Sequence, residues 1–190
     1  MNELLKEKLP ALLASTQGLY VACAAFTMLD AKDRKIVLKS LKEDIKEMFT
    51  NRLAHLFLIH ILLNLDDTTL SKKKVLTELL KCIDELINEK TYQNIYMGIF
   101  TPKSKQVFLP EEIEAFSAFQ EKTSSKKPEK TRREELLKVI LKPLATFFEE
   151  HLQFYLEEIN KNPLLKGVLK AIVEVGMTEE YQDLTDEMLR

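Results

Sequence analysis

Apolar residues recur at helical spacing along almost the whole chain. Positions 37, 41, 45 and 48 are apolar and lie three or four residues apart, so they share one face of a predicted helix over 31–50 that Asp30 can cap. Ser71 can cap the next long helix, and Pro143 predicts a helix break near Lys142. Further helix starts are predicted at Pro110, Thr131, Asn162 and Thr178. No segment alternates as a strand does, so the pattern predicts an all-α fold.

Two long runs carry no charge. Residues 9–29 are interrupted by Pro10 and the polar turn 15–18, whose backbone groups would be unpaired inside a bilayer. They therefore predict two short helices joined at 15–18 and no membrane contact. The second run, 53–65, is shorter than the roughly 20 residues of a membrane span, so it predicts a buried core helix.

The helices recur as similar units. Three segments resemble one another, namely Gly18–Phe26, Leu53–Ile61 and Tyr92–Phe100. Their alignment gives offsets of 36 and 39 residues, and each is followed by a turn and a longer amphipathic helix. All-helical units with such a period are typical of an α-solenoid, in which a middle helix touches neighbours on most sides.

Composition agrees with stacked helices. The 190 residues include only 4 glycines, none of them clustered, which argues against a β-sandwich and excludes a glycine-rich phosphate loop. The length suits one domain. Cys23 and Cys82 form no C-x-x-C pair, so they indicate a reducing compartment.

No set of nucleophile, base and acid can be assembled. His55 and His60 are five residues apart, one more than in a zinc-binding helix, and His60 lies between two isoleucines as a core histidine would. His55 is expected to be exposed at the start of its helix. Asp66 and Asp67 most simply end one helix and cap the next turn. The sequence therefore predicts no enzyme, no metal, no cofactor and no small-molecule substrate.

The net charge of −2 averages over oppositely charged regions. Residues 31–46 carry six basic and three acidic residues, and residues 122–138 carry seven basic and three acidic ones. Residues 149–190 have a net charge of −6. The segment 120–133 contains no apolar residue and predicts a basic, flexible loop. A basic body with an acidic C-terminal part permits contact with nucleic acid, although a solvated helix face would look the same.

Lysines are candidates for contact with a phosphate backbone. Lys35, Lys39, Lys42 and Lys46 are spaced to share one face of the predicted helix over 31–50. The full candidate set is Lys32, Arg34, Lys35, Lys39, Lys42, Lys46, Lys126, Lys127, Lys130, Arg132 and Arg133, within a helix and a loop that runs from Lys122 to Arg133.

Three motifs resemble one known family. The segment Asp30–Lys42, with the letters KDRK, resembles a segment of the Penguin/PUF-A family, Pumilio-like proteins with a C-terminal CPL domain. The helix His55–His60 followed by Asp66–Thr68 is similar to that family's helix with an Asp-Asp-Thr turn. Ser125–Leu137 is similar to its basic insertion and the helix after it. The order and spacing of the three agree, over roughly residues 17–150.

The resemblance implies a fold and a function. It implies a right-handed α-solenoid of Pumilio-like repeats, similar to armadillo and HEAT repeats, of which this chain is the C-terminal portion. It divides the chain into helical repeats over 1–119, the loop over 120–133, and C-terminal helices over 134–190 that complete the solenoid. Family members are nuclear and nucleolar, bind RNA or DNA with little sequence preference, and are linked to maturation of the large ribosomal subunit. The implied partners are pre-ribosomal RNA, duplex DNA, and ribosomal or assembly proteins.

Specific Pumilio repeats read one base each through side chains of the middle helix. Matching that helix to this chain places Leu19, Tyr20, Cys23, His55, Leu56, Ile59, Asn94, Ile95 and Gly98 at the reading positions. No repeat has the polar pair that reads a base edge, and Tyr20 can either stack on a base or pack. We therefore expect contact with the nucleic-acid backbone. The alternative is a protein-binding scaffold whose acidic residues 149–190 dock a basic partner such as a ribosomal protein.

Overall fold

The computed structural model describes residues 2–42, 44–123, 125–151 and 161–176. Its α-helices are α1 (Asn2–Leu12), α2 (Thr16–Met28), α3 (Ala31–Ser40), α4 (Ile45–Thr50), α5 (Arg52–Asn64), α6 (Thr68–Ser71), α7 (Thr77–Lys81), α8 (Lys90–Phe100), α9 (Pro110–Glu121), α10 (Glu129–Glu150) and α11 (Pro163–Gly176). A π-helical turn (Lys72–Leu76) joins α6 to α7, and a 3₁₀ turn (Ile83–Leu86) follows α7. These ranges contain no strand, so the predicted all-α fold is confirmed. Within them, no helix has the length and apolar character needed to cross a membrane.

Four helices form a first row. The helices α2, α5, α8 and α11 pack against one another in that order. The first three contain the three similar segments, so the predicted repeats are equivalent helices in a stack. Because α5 lies between α2 and α8, every residue from Ala54 to Asn64 is buried. The prediction of a buried core helix in this segment is confirmed.

A second row lies beside the first. The helix α4 packs against α5 and α7, and α10 packs against α6, the π-helical turn, α5 and α8. The helix α9 instead lies against α2. The second row therefore carries the outer helices of successive repeats, and α9 covers part of the first row.

Short polar side chains set several helix starts. Ser15, Asp30, Asn51 and Asp67 each accept a hydrogen bond from a backbone N–H in the first turn of the following helix, at 3.1, 2.8, 3.0 and 2.9 Å. These bonds satisfy amides that have no partner within the helix. They confirm the predicted caps at Asp30 and Asp67 and the predicted joint between two short helices at 15–18.

Two glycines allow close packing between neighbouring helices. A Cβ atom at Gly18 would lie 2.7 Å from the carbonyl carbon of Leu12, at the sharp turn between α1 and α2. A Cβ atom at Gly98 would lie 2.7 Å from Cδ1 of Ile59, where α8 crosses α5. The few glycines therefore serve helix packing at these two sites.

The predicted single helix over 31–50 is wrong. The helix α3 ends at Ser40 and α4 begins at Ile45. The reason is tertiary, because α3 packs against α1 whereas α4 packs against α5, α7 and α8. The chain must change direction to bury Leu41 and Ile45 against both sets of neighbours.

The predicted break near Pro143 is also wrong. The helix α10 continues through Pro143, to Glu150. Proline inside a helix costs about 3 kcal/mol, since it removes one hydrogen bond and crowds the preceding turn. The buried residues Ile140, Leu141 and Leu144 hold both halves of α10 against the core, which offsets that cost.

The other predicted helix starts have mixed outcomes. The starts at Pro110 and Asn162 are confirmed, and Asn162 Oδ1 accepts a hydrogen bond from the third residue of α11 at 3.0 Å. Ser71 caps nothing, because it lies buried inside a continuous helical segment. Thr131 is not a cap, because α10 already begins at Glu129. Thr178 lies outside the described residues.

Candidate nucleic-acid interface

Arg34, one of the predicted backbone-contacting cations, points into the protein and is only 2% exposed. Its guanidinium donates hydrogen bonds to the backbone oxygens of Phe26, Thr27 and Asn64, two of them at 3.1 Å. These oxygens belong to the last turns of α2 and α5, where carbonyl groups lack a donor within the helix. Burial lowers the pKa of Arg34, and Asp66 opposes that shift. Arg34 is therefore a structural link between two helix ends.

Arg132 has a similar position and is also 2% exposed. Its Nε donates to the carbonyl of Leu63 at 2.7 Å, and its Nη1 donates to Asp66 at 3.2 Å and to the carbonyl of Lys127. The prediction that Arg34 and Arg132 contact nucleic acid is therefore wrong. Their donors are used by the protein, and neither guanidinium faces solvent.

The segment between α9 and α10 is attached to the end of α5. The helix α9 ends at Glu121 and α10 begins at Glu129, so the connection is shorter than the predicted loop over 120–133. Ser125 Oγ donates to the carbonyl of Asn64 at 2.6 Å, and the amide of Lys126 donates to Asp66 at 2.9 Å. These bonds hold the centre of the segment against the end of α5, whereas the sequence predicted a flexible loop.

Asp66 collects hydrogen bonds from that segment. Burial raises its pKa, but hydrogen bonds from Lys126, Ser125 and Lys127 outweigh burial and hold the pKa below its usual value. The ionised carboxylate is thus the preferred form, as in other carboxylates that accept several N–H bonds. Asp66 therefore works as an anchor for the segment, beyond the predicted role of ending a helix.

Lys35 and Lys127 bring the two predicted basic regions together. Lys35 Nζ lies 2.8 Å from Asp67, and Lys127 Nζ lies 2.9 Å from Glu135. The hydrogen bond from Lys35 lowers the pKa of Asp67, and the charge of Lys127 adds to that effect. The two regions therefore share one surface at this point. Because a carboxylate faces each lysine, the positive potential there is partly cancelled.

The remaining candidate cations include a set of exposed lysines, namely Lys32, Lys39, Lys42, Lys46, Lys126 and Lys130. Arg133 is half-buried. Lys130 pairs with Glu134 at 3.6 Å, and Lys46 reaches Glu78 on α7 at 4.0 Å. Their contact with nucleic acid stays a prediction. Although the helix breaks after Ser40, Lys35 of α3 still faces Asp67 at the start of α6, and Lys46 of α4 faces Glu78 of α7.

The positions that would read bases lie inside the protein. Of the nine matched residues, only Tyr20 is not fully buried. The ring of Tyr20 meets Phe116 of α9 edge-on, with 6.5 Å between centroids, and its hydroxyl is buried. Phe116 also lies 5.6 Å from the ring of His60. The helix α9 therefore covers the reading face at Tyr20 and His60, and of the two alternatives predicted for Tyr20 the structure shows packing.

The histidines have no catalytic arrangement. His60 is a core residue, as predicted, with Nε2 2.9 Å from Thr27 Oγ1. Burial lowers the pKa of His60 to about 3 and that of His55 to about 4. The predicted exposure of His55 is wrong, because this residue of α5 is fully buried. Among the residues that the structure describes, no cluster of His, Cys, Asp or Glu could hold a metal ion, and both cysteines are free.

A further group of lysines escaped the sequence analysis. Lys72 and Lys81 lie on one side of a cleft of about 560 Å³, and Lys138 and Lys142 lie on the other. The run of three lysines at 72–74 is a visible signal in the sequence. Its partners come from α10, however, and only the packing of α10 against the π-helical turn brings the two pairs together.

Comparisons with known proteins agree with this fold. A model of the CPL (NUC119) domain family matches residues 93–180. Pumilio homolog 3 of Homo sapiens is 27% identical over 153 residues, which cover 80% of this chain and 24% of that protein. Protein penguin of Drosophila melanogaster is 27% identical over 166 residues, which cover 86% of this chain and 22% of that protein.

A solved structure shares the architecture. The crystal structure of human Puf-A in complex with DNA superposes with a TM-score of 0.78 at 24% identity, covering 90% of this chain and 33% of that one. The chain thus spans about a quarter of the length of the relatives it matches. Taken with the CPL match and the helical rows, these likenesses show that the chain is similar to the C-terminal region of the Penguin/PUF-A group of Pumilio-like proteins.

Proposed function

We propose that this chain is a non-catalytic module that binds RNA through its phosphate backbone, within a nucleolar factor of large ribosomal subunit biogenesis. The observation that carries the proposal is the contrast between two surfaces. Eight of the nine base-reading positions are buried and Tyr20 packs against α9, whereas exposed lysines follow the second row. An arrangement of this kind can hold phosphates, and the matched reading positions offer no open base edge contact among the described residues.

The residue type supports binding without sequence preference. The exposed candidates are mostly lysines, whose compact charge on a flexible stem attracts a phosphate without fixing a geometry. The arginines at 34 and 132, which could bind phosphate with two parallel bonds, are used inside the protein. Human Puf-A, which shares this fold, was crystallised with DNA, so duplex DNA is a second ligand of the proposal.

The cellular part of the proposal concerns the whole protein. The chain spans about a quarter of its relatives, so it contributes only part of the binding surface. Pre-ribosomal RNA and ribosomal or assembly proteins are the proposed partners, and the nucleus and nucleolus the proposed location. Crosslinking of the full-length protein to RNA in cells, followed by sequencing, tests this part, and recovery of no pre-ribosomal RNA would contradict it.

The binding proposal is tested with the 190-residue chain. Labelled RNA of mixed sequence and duplex DNA are titrated across a range of salt concentrations. We expect the logarithm of the association constant to fall with the logarithm of salt by several units, because each phosphate contact contributes about 0.9 for duplex DNA and 0.7 for a single strand. Shuffled sequences should bind equally well. No binding at low salt, or strong preference for one sequence, would contradict the proposal.

A groove favours a second candidate function, the docking of a basic protein. The helices α1, α3 and α4 enclose about 430 Å³, with an apolar floor that includes Leu13 and Met48 and with Asp44 and Glu47 at the side. Apolar contact beside carboxylates suits a basic amphipathic segment. Binding of a basic amphipathic peptide should be lost when Asp44 and Glu47 become lysine, and unchanged affinity would remove this candidate. The acidic stretch 149–190, also predicted to dock such a partner, lies largely outside the described residues.

A further inference from the structure

The cleft in the second row has lysines on both walls. Lys72 and Lys81 belong to the π-helical turn and α7, and Lys138 and Lys142 belong to α10. All four are exposed. The same cleft is lined by the half-buried apolar residues Leu80, Val139 and Pro143. A polymer lying here would have positive charge along both edges and an apolar surface below it.

The π-helical turn places Lys72 in this cleft. Thr77 Oγ1 donates to the carbonyl of Lys72 at 2.9 Å, and the backbone amide of Thr77 donates to the same oxygen. This five-residue spacing aligns Lys72 with Thr77 on one side, whereas an α-helix would align residues four apart. Both residues line the cleft, so the extra residue of the turn gives the wall its shape.

The positive surface continues from the cleft towards α4. Lys81 Nζ lies 2.7 Å from Glu78, and Lys46 Nζ lies 4.0 Å from the same carboxylate. The hydrogen bond from Lys81 lowers the pKa of Glu78, and the charges of Lys46 and Lys42 add to this effect. Lys81 of α7 and Lys46 of α4 thus face one carboxylate, and Lys42 lies in the turn between α3 and α4. We name the lysine band as the six residues Lys42, Lys46, Lys72, Lys81, Lys138 and Lys142.

We propose that the lysine band is the principal surface on which this chain holds the phosphate backbone of nucleic acid. This inference rests on the proposed function and specifies its site. It differs from the sequence prediction, because four of the six residues were not among the candidates and the loop over 120–133 is not part of the band. Glu78 lies between Lys46 and Lys81 at the α4 end of the lysine band, where its carboxylate competes with phosphate for these two lysines.

The lysine band differs from the loop in its extent. Lys127 and Lys130 of the loop region each face a glutamate of α10, and Arg132 is buried. The band instead places several lysines around Glu78, and it extends over three successive outer helices. A short acidic peptide would need only the cleft. The whole lysine band is long enough to contact an extended polyanion, so it suits nucleic acid better.

The first experiment replaces the four cleft lysines by glutamine, using K72Q, K81Q, K138Q and K142Q in the whole chain. The matched control carries glutamine at four exposed lysines outside the cleft, namely Lys90, Lys103, Lys105 and Lys166. Both variants lose the same net charge. For mixed-sequence RNA and duplex DNA, we expect the salt slope of the cleft variant to fall by about one unit per lysine that contacts a phosphate, and the control slope to stay near that of the unaltered chain.

The second experiment changes affinity in the opposite direction. Glu78→Gln removes the competing carboxylate, whereas Glu114→Gln removes an exposed carboxylate on α9. At low salt we expect Glu78→Gln to tighten nucleic-acid binding about fivefold, the size of one charge interaction at contact distance in water. Glu114→Gln should have a much smaller effect. Circular dichroism of every variant shows whether the helices remain folded.

The outcomes separate the inference from the proposed function. If the unaltered chain binds no nucleic acid, the proposed function and the inference both fail. If it binds, and the cleft variant and control lose equal affinity, the binding is a general charge effect and the lysine band is wrong. If the cleft variant keeps nucleic-acid binding but no longer binds a poly-glutamate peptide, the cleft is a protein site and the inference is overturned while the proposed function stands.

Discussion

Replacing Arg34 by methionine tests the conclusion that its charge serves helix ends. Methionine keeps much of the length and apolar character of the side chain but donates no hydrogen bond. The carbonyls of Phe26, Thr27 and Asn64 would lose their guanidinium donor in a buried region. We therefore expect a large loss of stability, and no loss of the charge that binds nucleic acid, since Arg34 does not face solvent.

The magnitude follows from the bonds. Hydrogen bonds to a charged group contribute about 1.5–3 kcal/mol each, so three of them contribute at least about 4.5 kcal/mol. Burial of the methionine side chain returns about 1.5 kcal/mol. The expected net loss is on the order of 3 kcal/mol, which for a chain of this size lowers Tm by roughly 6–12 °C. Arg34→Lys should recover only part of the loss, because one ammonium group cannot span the ends of both helices as the guanidinium fork does.

Urea unfolding followed by far-ultraviolet circular dichroism measures this loss. Lys39→Met is the matched control, since Lys39 is an exposed cation on the same helix and should change stability by less than about 0.5 kcal/mol. A loss below about 1 kcal/mol for Arg34→Met would show that the hydrogen bonds do not stabilise the fold as argued. A reduced salt slope for RNA binding would show that Arg34 is available to phosphate after all.

Three further predictions concern histidines, a glycine and the loop anchor. The pKa values of about 4 for His55 and about 3 for His60 lie below their usual value, so the unfolded chain binds protons first. Stability should therefore be constant above about pH 7 and fall by up to about 2.7 kcal/mol per unit between about pH 6 and 4. Gly18→Ala should cost about 2 kcal/mol, because its Cβ would overlap the backbone of Leu12. Asp66→Ala should speed tryptic cleavage after Lys126, because the amide there loses its acceptor.

Each of these predictions has a control in the same chain. Replacing His55 by leucine should reduce the acid slope, and an unchanged slope would contradict its assignment as a buried neutral group. Gly167→Ala should be nearly neutral, since its Cβ would meet the movable end of Gln106, and equal losses at both glycines would refute the backbone argument. Asp84→Ala removes an exposed carboxylate and should leave tryptic cleavage after Lys126 unchanged.

The protein separates its two kinds of cation by chemistry. Arg34 and Arg132 each reach several acceptors, and the ends of α2 and α5 present carbonyls to them. Lysines occupy the exposed side of the second row, where a compact, hydrated charge on a flexible stem needs no fixed geometry. Counting all basic residues as one class hides this division.

Local signals in the sequence were sufficient for much of the fold. The 3.6-residue period of apolar residues predicts the helices. Asp30, Asp67 and Asn162 cap the N-termini of three of them. The repeat offsets of 36 and 39 residues already show that α2, α5 and α8 are equivalent. These features depend on residues close together in the chain, so they can be read without a structure.

Other features depend on packing between distant segments. The break between Ser40 and Ile45 arises because the two halves meet different helices, and the continuous helix through Pro143 arises because both sides of it are buried. Propensity alone gives the opposite answer at both places. Tertiary contacts contribute more free energy than one lost helical hydrogen bond or one turn of the chain costs, so they decide where the helices end.

The sequence by itself determined that this protein is a stack of helical repeats with scattered basic segments. Only the tertiary structure decided which of those cations remain available. Arg34 is turned inward by carbonyls at the ends of α2 and α5, the latter some 30 residues away, and Lys72 gains its partners from α10. The periodicity of a helix is a local property, whereas the surroundings of a charge depend on which other helices pack beside it.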